Sequence, residues 1–215
     1  LRFLLGDVRD LSRLEMAVQE VDIIFHLAAL KHVSACEYNP FEAVKTNIIG
    51  TQNVIEASIH HKVEKVIFTS TDKAVNPTNA MGSSKLMAER LMASAHSVRG
   101  PSQTTFVSTR FGNVAGTRGS VIPKFIDQIK LAKLITITDP RMTRFLMTMD
   151  RALQLIIDAA CFGNDGEIYV PNLPVCRIED IALAIQEILQ SQKKLKTKII
   201  GLYPGEKLHE ELVTR

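Results

Sequence analysis

The chain has 215 residues, 46% of them hydrophobic, which is enough to enclose one substantial core and too apolar for a disordered polypeptide. Its 26 Lys and Arg against 23 Asp and Glu leave a net charge of +3 without dense basic blocks, which excludes a nucleic-acid-binding arm and suits basic residues that meet a small anion. The three cysteines, Cys36, Cys161 and Cys176, show neither zinc nor disulfide spacing and suit a reducing cytoplasm, and no apolar run approaches the roughly 20 residues of a membrane span.

From the first residue onward, short runs rich in Ile, Val and Phe alternate with longer amphipathic stretches, the pattern of βαβ units around a mostly parallel sheet. Strands are predicted at residues 2–5, 22–27, 65–70 and 105–111, with helices at 11–18, 41–60 and 81–97. Asn39 followed by Pro40 supplies a cap and a proline-tolerant first turn for the second helix. After about Gly112 the elements shorten: helices at 122–131, 150–160 and 178–189, and strands near 134–137 and 167–170. A larger α/β part over 1–120 and a smaller lobe over 121–215, with an interleaved boundary, follow from this change of rhythm.

Ligands of open α/β sheets settle beyond the carboxyl ends of the strands. After the first predicted strand, Gly6-Asp7-Val8-Arg9-Asp10 offers carboxylates that either cap the next helix or accept a hydrogen bond from an adenine amino group. After the second, small Ala28 and Ala29 would let a flat cofactor approach the backbone and Lys31 could hold a phosphate. Small residues at a strand end are otherwise ordinary core packing, and His26 reads as a buried hydrogen-bonded residue. The densest cluster follows the third strand, where Thr71, Asp72 and Lys73 emerge together and Lys85 lies one turn into the next helix on the same face as Met81. A solvated loop with an Asp72–lysine ion pair is the plain alternative to a general acid/base pair.

The segment STDKAVNPTNAMGSSK resembles the active-site block of inverting UDP-N-acetylglucosamine 4,6-dehydratases and their capsular polysaccharide biosynthesis relatives, within the extended short-chain dehydrogenase/reductase superfamily. GDVRD, LAALKHV, NPFEAVKTNIIGTQNVIEA, RFGNVAGTRGSVIPKFIDQI, TDPRMTRFLMT and PGEKLHEEL resemble successive blocks of that family in the same order, over nearly the whole chain. The resemblance implies a Rossmann-like, doubly wound parallel sheet lacking its N-terminal βαβ unit, so that 1–120 is a partial NAD(P)-binding domain and 121–215 mainly a substrate-binding lobe.

It also implies NADP, with NAD possible, as cofactor, a UDP-sugar as substrate, and self-association into a homo-oligomer without nucleic-acid or membrane partners in this segment. By the same resemblance Lys73 is the base that removes the C5 proton of the sugar, Asp72 the acid that helps the C6 hydroxyl leave, and Thr71 a hydrogen-bond partner near O4. A positioned amine suffices at C5, because the 4-keto group formed first acidifies that proton, once desolvation or a neighbouring cation disfavours the charged form. Lys85 holds the nicotinamide ribose. Asp7, Val8, Leu27, Ala28, Ala29, Lys31, Met81, Asn113 and Val114 fall with Lys85 at the family's cofactor positions, and Lys31, Asn113, Val121, Arg144 and Glu206 at its substrate positions. A surface salt bridge is the plain reading of Arg144 and Glu206. Asn47 corresponds to a structural Asn of the superfamily.

Two departures from the family pattern stand out. Met81 occupies the place of the superfamily's catalytic Tyr, and a thioether cannot exchange a proton. Capsule-type dehydratase/C5-epimerases share that substitution, so it shifts the assignment within the family. Tyr203 stands where close relatives carry Arg before PGEK. None of the 11 glycines forms a Gly-rich pyrophosphate turn after a strand, so the expected turn precedes Leu1 by one βαβ unit and this chain is expected to hold cofactor poorly. A C5-epimerase/dehydratase and an inactive UDP-sugar-binding remnant are the competing expectations.

Overall fold

The computed structural model describes residues 1–189 and 196–214. In chain order its principal elements are α1 (Leu11–Ala17), β1 (Ile23–His26), α2 (Val33–Tyr38), α3 (Pro40–Ala43), α4 (Gly50–His60), β2 (Lys65–Thr71), α5 (Ala80–Ser94), β3 (Thr105–Phe111), β4 (Asn113–Val114) and α6 (Val121–Lys130). There follow β5 (Ile135–Ile137), β6 (Thr143–Met147), α7 (Met149–Phe162), β7 (Ile168–Tyr169), β8 (Val175–Arg177), α8 (Ile178–Ile188) and β9 (Thr197–Ile199).

The central sheet runs β1-β2-β3-β7 with every pair parallel, setting Ile24 beside Val66 and Val66 beside Phe106. Because side chains alternate along a strand, Val66, Phe68 and Phe106 face α4 and α5 and join Val54, Ile55, Ala88 and Met92 in one core. Ile67 and Val107 point the other way and pack against Ile156 and Ala159 of α7. Helices on both faces explain why β2 and β3 read as continuous apolar runs. The expected α/β Rossmann-like parallel sheet is therefore present.

A second sheet, β4-β6-β8, and the parallel pair β5-β9 form the smaller lobe, whose core gathers Phe125, Ile135, Ile137, Met142, Ile178, Ile181 and Ile185. Chain segments cross between the two parts. β7 returns to the central sheet, whereas Asn113 and Val114 leave it to pair with Leu146 and Met147. Among the described residues no helix is long and apolar enough to cross a membrane.

Several local expectations are corrected. Residues 2–5 are not a strand: Phe3 and Leu5 are exposed, and the Leu5 carbonyl accepts from Arg13 Nε at 2.8 Å rather than from a neighbouring strand. A β conformation needs a partner for its ladder, and no described strand lies alongside. Asn39 makes no side-chain cap; its amide donates back to the Ala35 carbonyl at 3.1 Å, while Pro40 does take the first helical position. The long second helix is wound as a π-helix over Val44–Ile49 before continuing as α4. The cap that matters for the site is Asn79, whose Oδ1 accepts from Gly82 N at 2.7 Å and starts α5 one residue before the predicted 81. The short elements α2, β4, β6, β8 and β9 escaped prediction because runs of two to six residues carry too little periodicity.

Candidate active site

A cavity of about 1050 Å³ opens between the carboxyl end of the central sheet and the smaller lobe. Five of the expected site residues line it: Lys73, Asn113, Val121, Arg144 and Glu206. They come from the turn after β2, from β4, from the start of α6, from β6 and from the tail after β9. The two-part architecture thus assembles residues far apart in sequence.

β2 ends at Thr71 and passes into a 3-10 turn, Asp72–Ala74. Thr71 Oγ1 donates to Asp72 Oδ1 at 2.9 Å, and Lys73 Nζ donates to the same oxygen at 3.0 Å. Asp72 is wholly buried behind the turn, so its carboxylate meets the cavity through Lys73. A second carboxylate, Glu210 Oε1, stands 3.5 Å from Lys73 Nζ. The ion-pair partners of Lys73 are therefore two carboxylates. Asp72 Oδ2 and Glu210 Oε2 are buried without a hydrogen-bond partner, although Lys207 Nζ comes within 4.0 Å of the latter.

The amine that burial drives toward neutrality is Lys85, whose pKa falls to about 7 through desolvation, opposed by the Glu89 carboxylate. It lies on α5 with Nζ 4.1 Å from the centre of the Phe68 ring. Glu89 is itself committed to Arg110, which donates to both of its oxygens at 3.1 and 2.7 Å. Met81, one turn before Lys85, is buried against Cys36 and Ala43. Nearby, buried Asn47 accepts from Leu30 N at 2.8 Å and donates to the Leu30 carbonyl and to Ser84 Oγ at 3.1 and 2.9 Å. The π-turn carries Asn47, and these bonds tie the strand-end loop after β1 to α5, as a structural Asn should.

The tail 203–212 has no regular secondary structure among its described residues, yet it is pinned to the site. Thr78 Oγ1 and Asn79 Nδ2 donate to the Gly205 carbonyl at 3.0 and 2.8 Å, Lys207 Nζ donates to the Val75 carbonyl at 2.6 Å, and Arg110 donates to the Leu212 carbonyl at 2.6 Å. These bonds bring Glu206 and Glu210 to the cavity wall. Arg144 is buried, donating to the carbonyls of Thr143 at 2.8 Å and Leu208 at 3.2 Å, and its other arm reaches Glu206 Oε1 at 3.4 Å. Burial and three partners set it apart from a surface salt bridge.

The residues expected to hold the cofactor divide. Leu27, Ala28 and Ala29 follow β1 at the sheet's carboxyl end, with Leu27 and Ala28 exposed and Ala29 half-buried. Val114 sits in β4. Asp10 is the cap of α1, accepting from Arg13 N at 3.0 Å, whereas Asp7 is clasped by Arg9, whose hydrogen bonds hold its pKa near 2. Val8 packs into the space that Gly50 leaves open, where a Cβ would meet Val8 Cγ2 at 2.7 Å. Lys31 donates to the Arg118 carbonyl at 2.8 Å, between cavity-lining His32 and Gly119, and is outside the lining itself. His26 is buried and held neutral, its pKa near 3 through desolvation and the Lys85 charge, with Nε2 3.0 Å from Thr51 Oγ1. It is the hydrogen-bonded core residue expected.

Sequence reasoning missed Glu210, Asn79 and Glu37, whose carboxylate accepts from Ala80 N. Only the doubled acid after PGEKLH hinted at Glu210. Comparison with known proteins bears on what this arrangement is. Residues 1–215 match the family described as polysaccharide biosynthesis protein.

The chain belongs to that family. It is 50% identical over 218 residues to an uncharacterised membrane protein of Methanocaldococcus jannaschii, covering 99% of this chain and 66% of that protein. It is 47% identical to a UDP-glucose 4-epimerase of Rickettsia conorii, covering 100% of this chain and 62% of that one. The chain thus spans 62–66% of the length of these curated relatives. Among solved structures, Pen from Bacillus thuringiensis is 51% identical with a TM-score of 0.95, over 99% of this chain and 67% of that one. DesIV, a dTDP-glucose 4,6-dehydratase of Streptomyces venezuelae, is 22% identical with a TM-score of 0.90, over 99% of this chain and 71% of its own, and shares the fold.

Proposed function

We propose that this polysaccharide biosynthesis family member is the greater part of a nicotinamide-dependent nucleotide-sugar 4,6-dehydratase that inverts C5 of UDP-N-acetylglucosamine. The observation that carries the reading is the chain Thr71–Asp72–Lys73, joined through Asp72 Oδ1 at the end of β2, with Lys73 alone of the three lining the cavity. A 4-epimerase needs proton exchange at the 4-hydroxyl alone. An elimination across C5 and C6 needs a further base for carbon and an acid for the leaving hydroxyl, and an adjacent amine and carboxylate supply both.

A bound nicotinamide would accept a hydride from C4 and return it at C6, leaving no net redox change. The residues present fit such a group in part. Exposed Ala28 and half-buried Ala29 follow the carboxyl end of β1, Ser70 Oγ is buried without a partner at the end of β2, and Lys85 is on α5 near that end. Their placement suits a nicotinamide dinucleotide, proposed as NADP, with NAD possible, on the family resemblance; DesIV was solved with NAD bound. Lys73 would remove the C5 proton, Asp72, once protonated, would deliver a proton to the departing C6 hydroxyl as water, and a proton from solvent would add to C5 as hydride returns to C6. Since Met81 cannot carry the 4-hydroxyl proton, it passes to Lys85, to Asp72 or to water, and Lys85 is suited to it by a pKa of about 7. Arg144, Glu206, Asn113 and Val121 would hold the UDP-sugar, with Lys31 at the rim. A cytoplasmic homo-oligomer is the proposed setting.

The name of the Rickettsia conorii relative favours a second reading, a UDP-sugar 4-epimerase. Incubation of the full-length protein with NADP⁺ and UDP-N-acetylglucosamine separates the two. Loss of one water with solvent deuterium entering C5 supports the dehydratase. An epimer of unchanged mass, with no deuterium at C5, supports the epimerase and overturns the first reading.

A further inference from the structure

We propose that Glu15, His60 and His61 form a binding site for a borderline divalent transition-metal ion of the Zn²⁺ type, which clips α1 to the end of α4. Glu15 sits on α1, His60 is the last residue of α4 and His61 follows as its cap. Glu15 Oε2 lies 2.8 Å from His60 Nδ1 and 2.6 Å from His61 Nε2, and all three atoms fall within 4.8 Å of one another. Consecutive residues of a regular helix point about 100° apart. Here the helix ends between them, and both rings turn to one oxygen with their centroids 4.9 Å apart.

The donor set decides the class of ion. Two imidazole nitrogens and one carboxylate suit Zn²⁺ and its neighbours, whereas Mg²⁺ and Ca²⁺ demand oxygen. With neutral rings the site carries one negative charge toward a dication. Zn²⁺ prefers four ligands, and the largely exposed His60 side, at 72% relative exposure, leaves room for water as the fourth. None of the three residues lines the cavity, so the site is separate from the proposed chemistry.

The fold gives such a clip something to hold. None of the residues of α1 is buried, and Leu14 is its partly buried contact with the core under α4. α1 follows directly on the 6–10 segment, whose Asp10 caps it. An ion joining α1 to α4 stabilises the folded chain by mass action, because the ligands converge only there.

Calorimetric titration of the chelator-stripped full chain with ZnCl₂ tests the site, with MgCl₂ as contrast. One Zn²⁺ per chain is expected, with no Mg²⁺ binding and a rise in melting temperature. His60→Ala, His61→Ala and Glu15→Gln should each weaken Zn²⁺ binding at least about tenfold, the loss typical even of an outer-shell change. Exposed Cys161 is the competing soft ligand, so Cys161→Ser should bind as the parent does. Co²⁺ in place of Zn²⁺ should show ligand-field bands without thiolate charge transfer. Since His60 is exposed, its variant keeps the fold, which circular dichroism checks. Absence of Zn²⁺ binding in the parent, equal affinity in His60→Ala and Glu15→Gln, or loss of binding in Cys161→Ser would overturn the proposal.

Discussion

Gly82 lies against the backbone carbonyl of Lys73 so closely that a Cβ at position 82 would overlap the carbonyl oxygen. The turn that presents Lys73 therefore rests on α5 through the one residue type that permits the approach. Gly82→Ala should fold, since α5 gains a better helix former, but it should push the 72–74 turn outward and shift the amine from Asp72 and Glu210. Misplacement by about 1 Å costs on the order of 10² in rate. Turnover of UDP-N-acetylglucosamine should fall by that order with substrate affinity nearly kept; unchanged turnover would show that the turn tolerates the shift.

Lys73→Ala and Asp72→Asn should each remove turnover by about 10²–10⁴ while sparing sugar-nucleotide binding, because both groups are proposed to act on protons in the reaction. Met81→Leu is the contrast. Its buried thioether is replaced by a side chain of similar volume at less than about 1.5 kcal/mol, and most activity should survive. Steady-state rates beside calorimetry of UDP binding distinguish these outcomes. A folded but inactive Met81→Leu would give Met81 a role beyond packing against Cys36.

Lys85 should make stability depend on pH. Its folded pKa, about 7, lies below the ordinary 10.5 because burial penalises the charge, so between these values the unfolded chain binds the extra proton. Stability then rises as pH climbs from about 7 toward 10.5, and the full cost is present below 7. Lys85→Met should be more stable than the parent at pH 6, by an amount on the order of a few kcal/mol, with the gap shrinking toward pH 10. Urea unfolding at pH 6, 8 and 10 reads the trend. A gap that widens with pH would contradict the assignment.

Arg144 and Glu206 differ in how firmly the fold holds them. Arg144 has two backbone carbonyls within 3.2 Å, while its reach to Glu206 is 3.4 Å. Arg144→Lys loses the planar fork and should weaken UDP binding about tenfold or more. Glu206→Gln should leave stability within about 0.5 kcal/mol and raise KM without lowering kcat. UDP titration and thermal melts of both variants test the pair. Equal UDP affinity in Arg144→Lys and the parent would remove Arg144 from the substrate site.

Much of this molecule is legible in its residues taken alone. The apolar runs over 65–71 and 105–111, the amphipathic stretch leading to Ser94 and the block STDKAVNPTNAMGSSK are local patterns, and a local pattern suffices where propensity and burial agree. Residues 2–5 failed as a strand because a strand exists only with a partner, and Asn39 failed as a cap because its amide found the Ala35 carbonyl first. Tertiary structure alone decided that Lys73 stands between Asp72 and Glu210, that burial lowers the pKa of Lys85, and that Gly82 must be bare. Each depends on distance through space between segments that the chain separates, or on exclusion of water, and neither is written in any stretch of neighbouring residues.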